Sequence, residues 1–290
     1  MSPIGSAVAR LARGRVVRHL ARHRAFLTGS ALFLGVLVVA VFADAIAPTA
    51  PAAMRFRDRF TPPGAAFPLG TDNFGRNLLS RVVYGARLSL EIGFSVVVLT
   101  GVAGTLLGAA GGYFRRLDIW LIAALDALMA FPTVLLAVGI TAALGPSAAN
   151  AVIALTAVYT PRTARIVRAS VLVIRELDYV QAARASGADH QRILLHHVLP
   201  NSMAPLIVQL TFIFAYAILA EAILSFLGMG PQPPTPTWGN IIAEGWVYMR
   251  EAPWISLFPG LAIAVTVLGL NLLGDGLRDA LDPRMKVQQA

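Results

Sequence analysis

Six apolar runs recur along the chain, at 25–47, 88–111, 119–144, 148–167, 203–227 and 254–273. Each is near or above the ~20 residues that a helix needs to cross bilayer hydrocarbon. In lipid every backbone N–H and C=O must be satisfied within the protein, so runs of this length specify helices. The composition agrees: 57% of the 290 residues are hydrophobic and 13% are charged, against roughly 25% charged in a soluble domain. The predicted fold is all-α, a polytopic transmembrane bundle of six spans. The chain has no cysteine, which excludes disulfides and thiolate sites.

The formal net charge is +9. A basic balance can signal nucleic acid, but here the arginines fall in the gaps between apolar runs, as membrane topology requires. No nucleic-acid partner is expected; membrane lipid is. With a cytoplasmic N-terminus, the inside segments and the arginine-bearing end of the fourth run hold 17 basic residues, and the outside loops hold 7. The exception is the first outside loop, with Arg55, Arg57, Arg59, Arg76, Arg81 and Arg87. The basic start followed by the first run resembles a signal peptide. That run is too long for one, and Asp44-Ala45-Ile46-Ala47-Pro48 is a poor cleavage site, so an uncleaved span is expected. The predicted organisation is a cytoplasmic basic segment at 1–25, a first span and external loop at 26–87, a transmembrane core at 88–276 and a cytoplasmic tail at 277–290. Both termini are then cytoplasmic, in a multi-pass protein of the cell membrane.

Two connecting segments are too long for simple links. The 168–202 segment is polar and helix-forming, and predicts a short helix, a turn at Gly187 and a second short helix, ending at Leu199-Pro200. The 229–253 segment holds Pro231, Pro233, Pro234 and Pro236 ahead of Trp238-Gly239, which stiffens the backbone without needing amide donors. A solvated linker is the plain alternative for both.

Glu91, Asp126 and Glu221 interrupt apolar runs. A charge in hydrocarbon is costly, so each should face the bundle interior or a water-filled path. Asp126 precedes Pro132, which predicts a kink. A translocation path or gate hinge and a simple interhelical bond are both open readings. Gly104 and Gly108 form a small-residue pair suited to close helix approach.

The 168–202 segment resembles the cytoplasmic loop of binding-protein-dependent ABC importer permeases. In that family Glu-Ala-Ala is followed after three residues by Gly, and nine further on by Ile-x-Leu-Pro. Here the frame reads Gln181-Ala182-Ala183, Gly187 and His197-Val198-Leu199-Pro200, with Gln181 and His197 departing from it. Four further stretches resemble the dipeptide/oligopeptide/nickel branch. They are Pro68 to Arg87, with Gly70-Thr71-Asp72 in its first part, Asp178-Tyr179-Val180, Glu221 to Gly228 with the prolines and Trp238-Gly239, and Asn271 to Arg284.

The resemblance implies a type I importer permease that performs no covalent chemistry of its own. Its partners would be a second related permease, two cytoplasmic ATP-binding subunits and an extracytoplasmic solute-binding protein. Coupling to the ATPase would run through Tyr179, Val180, Gln181, Ala182, Ala183, Gly187, Leu199 and Pro200, with Tyr179 and Val180 as apolar anchors in a partner groove. Trp238 would be either a contact of the binding protein or a packed anchor. The cargo would be a dipeptide or oligopeptide; nickel or another small solute is the alternative. The chain shows no phosphate-loop pattern, so no cofactor is expected in it, and ATP and magnesium would belong to the partners. His190, His196 and His197 are read as surface or partner-facing residues, with no metal site. A secondary transporter and a purely structural membrane subunit are the rival functions.

Overall fold

The structure, a computed structural model, describes residues 20, 21 and 23–281. Nearly all of the basic segment at 1–25, and the end of the tail from Asp282, lie outside the described residues. In chain order the helices are α1 (Arg24–Val41), α2 (Ala43–Ile46), α3 (Leu78–Tyr113), α4 (Arg115–Met129), α5 (Thr133–Leu144) and α6 (Ala148–Ile174). They continue with α7 (Asp178–Ala185), α8 (His190–Ile193), α9 (Leu199–Phe226), α10 (Trp238–Trp246) and α11 (Trp254–Leu281). A wider helical turn at Leu194–Val198 joins α8 to α9. No β-strand occurs among the described residues.

Helix starts follow from side chains that satisfy the first free amides. Asn77 accepts from the Ser80 amide at 3.2 Å, and Ser147 accepts from the Asn150 amide at 3.1 Å. At α10 the capping is reciprocal: Thr237 Oγ1 accepts from the Asn240 amide, and Asn240 Oδ1 accepts from the Thr237 amide. The second arrangement is a capping box with Asn in the third position.

All six apolar runs lie on helical units. α1, α3, the continuous stretch His190–Phe226 and α11 are long and apolar enough to cross a membrane. α4 and α5 pass the same test together, bent by 91°. The bend lies at Pro132, which sits at the start of α5 with an extended ψ and cannot continue the ladder of α4. α6 is long enough at 27 residues, but Arg162, Arg165 and Arg168 make its second half less apolar than the other spans.

The helices overrun the runs, which corrects the predicted boundaries. α3 begins at Leu78 rather than 88, and α6 continues through Pro161 to Ile174. Pro200 falls in the first turn of α9 rather than in a loop; the first turn tolerates a residue without an amide. α11 continues past 276 to Leu281. The extra turns of α3 are held by packing and pairing within the fold, with Leu78, Ser80 and Arg81 buried, so hydropathy alone does not mark them. Large apolar side chains such as Phe94, Leu106, Trp120 and Leu135 are exposed, which suits a surface meeting lipid or a neighbouring subunit rather than water.

α3 packs chiefly on α6, and α1 packs on α11. The α3–α6 approach uses the predicted glycine pair. A side chain at Gly104 would meet Thr163 Cβ at 2.6 Å, and one at Gly108 would strike the Ala164 carbonyl. A central apolar cluster joins Ala86 and Leu90 of α3 to Ala215 and Ile218 of α9, Trp238 of α10 and Ile263 of α11.

Candidate functional site

The turn between α6 and α9 forms the helix–glycine–helix hairpin that the sequence predicts. Its packing divides the candidate residues into two groups. Val180 is fully buried, in a cluster with Val167, Val171, Ile193, Val198 and Leu206. It anchors α7 to the chain's own bundle, which corrects its assignment as an anchor in a partner groove. Ala182 is exposed and Ala183 half-buried. Tyr179 is 44% exposed. Its hydroxyl donates to the His197 carbonyl at 3.4 Å and accepts from Asn201 Nδ2 at 3.1 Å. Gln181 Nε2 donates to the Arg175 carbonyl at 3.0 Å, so this residue tethers α7 to the end of α6. Leu199 is half-buried and Pro200 exposed in the first turn of α9.

Gly187 ends α7 for a geometric reason. Its φ is +83°. The Gly187 amide donates to the Arg184 carbonyl at 3.0 Å, and the Ala188 amide to the Ala183 carbonyl at 3.1 Å. These two bonds make a Schellman cap, whose left-handed residue is glycine because a Cβ is penalised there. No atom lies within 4 Å of a Cβ built at Gly187. The positive φ, not close contact, requires glycine.

The hairpin is tied sideways as well. Tyr113, at the end of α3, hydrogen-bonds His190 Nδ1 at 2.9 Å, and Arg175 donates to the Gly112 carbonyl at 2.7 Å. Arg168 grips Asp118 with two bonds of 2.5 and 2.7 Å. On the open side the hairpin shows Tyr179, Ala182 and Arg184, with Leu195 57% exposed.

The acidic residues of the spans separate into three cases. Glu221 is fully buried, and accepts from Ser89 Oγ at 3.0 Å and Ser225 Oγ at 2.6 Å. It joins α9 to α3. Asp126 pairs with Arg165 of α6 at 2.5 Å, with both side chains about half exposed (52% and 53%), so it makes the interhelical bond. Glu91 does not face the bundle interior. It is exposed and lines a largely apolar cleft of about 420 Å³ with Phe33, Phe94 and Phe214.

Trp238 is 1% exposed, and its indole donates to the Val82 carbonyl at 3.0 Å. It is a packed anchor and offers no surface to a docking protein. Gly239 lies against Ala222 of α9 so closely that a side chain would strike the backbone.

Sequence reasoning missed a charge network at the α10 end. Asp72 is fully buried and Arg76 and Arg81 are nearly so. Asp72 Oδ1 accepts from the amides of Phe74 and Arg76, each at 2.9 Å. Its Oδ2 accepts from Arg76 Nε at 2.6 Å and Arg81 Nη1 at 2.7 Å. Arg81 also binds Glu244 of α10 through two bonds of 2.8 and 3.0 Å, and Arg76 binds the same carboxylate. The network explains two of the six arginines that weakened the topology count, since they are structural charges held inside the fold. A third, Arg87, pairs with Asp44 at 3.0 Å. The available signal was Asp72 at four and nine residues from the two arginines; its partner Glu244 is 163 residues from Arg81, beyond any local pattern.

Residues 102–287 match the profile described as binding-protein-dependent transport system inner membrane component. Residues 13–63 match the N-terminal transmembrane domain of oligopeptide transport permease C. A Brucella abortus biovar 1 protein with a provisional peptide transport system permease name is 56% identical over 271 residues, covering 93% of this chain and 92% of that protein. The dipeptide transport system permease protein DppC of Escherichia coli K12 is 46% identical over 273 residues, covering 91% of each. Among solved structures, an inward-facing methionine ABC transporter superposes with a TM-score of 0.58 at 20% identity, covering 70% of this chain and 97% of that one. That likeness is one of fold, and it agrees with the helical bundle. The chain belongs to the inner-membrane permease family of binding-protein-dependent ABC importers.

Proposed function

We propose that the chain is one of two permease subunits in an ATP-driven importer that moves dipeptides or oligopeptides into the cell. Its partners are a second related permease, two cytoplasmic ATP-binding subunits and an extracytoplasmic solute-binding protein. Hydrolysis, with its ATP and magnesium, takes place in the ATP-binding subunits, and this chain is not an enzyme. Both termini and the α7–α8 hairpin lie on the cytoplasmic side. The observation that carries the reading is the two-sided hairpin. Val180 fixes it to the bundle on one side, and Tyr179, Ala182 and Leu195 remain open on the other. A part that transmits movement needs a firm attachment and a free face together. Peptide as cargo is supported by the names of the relatives.

The test uses the complex reconstituted in lipid vesicles with Gly187→Val and, separately, Ala182→Trp. Both variants should insert and pair with the second permease. ATP-binding subunit co-purification should fall, or binding-protein-stimulated hydrolysis should continue without dipeptide uptake. Normal retention, hydrolysis and uptake in both variants would refute the coupling role. Uptake of nickel but not of a labelled dipeptide by the wild-type complex would refute the cargo.

A further inference from the structure

A cavity of about 570 Å³ lies between α6, α9 and α11, at the end of the bundle that carries α7. Ile166, Phe212 and Leu281 give its wall an apolar part, and Arg162, Gln209 and Arg278 a polar part. No carboxylate lines it among the described residues. Arg165 and Arg168, also on α6, are held by Asp126 and Asp118. Arg162 instead lies over the Tyr216 ring at 5.8 Å, and neither it nor Arg278 has a carboxylate partner among the described residues. Gln209 is 7% exposed, and its Nε2 amide finds no acceptor among the described residues. Buried donors are rarely left unmet, since water has been given up and nothing replaces it.

We propose that this cavity binds the headgroup of an anionic phospholipid from the leaflet on the α7 side. The chemistry of the wall selects the ligand class. Two guanidinium groups with no carboxylate partner among the described residues call for an anion, and phosphate oxygens match their fork geometry. The same oxygens supply the acceptor that the Gln209 amide lacks. The apolar wall calls for hydrocarbon attached to that anion; a free soluble anion would leave Ile166, Phe212 and Leu281 against water. The depth agrees, because Arg278 follows the last apolar run by five residues and so lies at headgroup level. Basic pockets between transmembrane helices suit anionic headgroups for these reasons. The bound lipid would bridge α6 and α9, the two helices joined by the α7–α8 hairpin.

The test is native mass spectrometry of the intact importer complex in detergent, titrated with phosphatidylglycerol or with phosphatidylcholine. The wild type should retain phosphatidylglycerol with a preference of ~25-fold, about fivefold for each arginine. Arg162→Gln with Arg278→Gln should bring the preference near unity, and Gln209→Leu should reduce it. Subunit composition is read in the same spectra, so a variant that fails to assemble is recognised, and the wild-type preference then decides alone. Equal retention of both lipids by the wild type overturns the proposal. So does an unchanged preference in an assembled double variant. Displacement of phosphatidylglycerol by millimolar inorganic phosphate or by an acidic dipeptide would assign the cavity to a soluble anion and overturn it as well. Retention that survives both competitors supports it.

Discussion

The two ends of the bundle are held together in different ways. At the α10 end, Asp72, Arg76 and Arg81 are withdrawn from solvent and joined to Glu244, and Trp238 is sealed beside them in the core. At the α7 end the attachment is mainly apolar, through the buried Val180 and Ile193 of the hairpin with a few neutral hydrogen bonds such as Tyr113 to His190, while most of the hairpin surface is exposed. Both oxygens of the buried Asp72 are paired, while Arg81 Nε has no partner among the described residues; buried charges joined in this way favour one geometry. An apolar patch beneath an exposed hairpin constrains position less sharply and leaves a face for another protein. The difference suits one fixed end and one end that receives a partner.

The comparison first needs the two ends on opposite sides of the membrane, and the expected effect there is all-or-none. The chain has no cysteine, and Arg57, Pro234 and Ser186 are all exposed. Single cysteines at Arg57 and Pro234 should react with an impermeant thiol reagent in sealed cells, and one at Ser186 should be protected. Labelling at Ser186 from outside would invert the assignment.

The next largest effect is expected at the locked end. Asp72→Ala removes the fully buried one of the two carboxylates that Arg76 and Arg81 share and leaves Glu244 alone to pair with both, at a cost of up to about 3–5 kcal/mol, the range for breaking a buried pair. Poor accumulation in the membrane and a clear drop in melting temperature of the purified complex are the expected readouts. A wild-type melting temperature would show that the network does not hold that end.

A smaller stability effect is expected at the open end. Gly187→Val forces a β-branched residue into φ +83°, at a cost of roughly 1–2 kcal/mol, with no neighbouring atoms to clash. Its melting temperature should lie much nearer to wild type than that of Asp72→Ala. A larger loss of stability at Gly187 than at Asp72 would reverse the comparison.

Several of these features were legible in the sequence because their signals are local. Apolar runs mark spans since the bilayer has a fixed thickness. The bend at Pro132 follows from a missing amide, and the hairpin between α6 and α9 from helix formers on either side of Gly187. The Gly104 and Gly108 pair announced a close approach, although nothing nearby in sequence named α6 as the helix approached. Helix ends were less legible, since α3 and α6 continue into zones where hydropathy no longer marks a helix.

By itself, the sequence determined that the chain is a bundle of membrane helices with a helix–glycine–helix hairpin, since span length, turn geometry and capping are settled within a few residues. The tertiary structure alone decided which polar side chains are structural and which are open. Asp72 and Glu244, Glu221 and Ser89, and Asp126 and Arg165 meet only when distant helices pack, and Val180 turns inward while its neighbour Tyr179 stays at the surface. Whether a charge or an anchor serves the fold or a partner depends on what lies across the space from it, and that is fixed by packing between segments far apart in the chain.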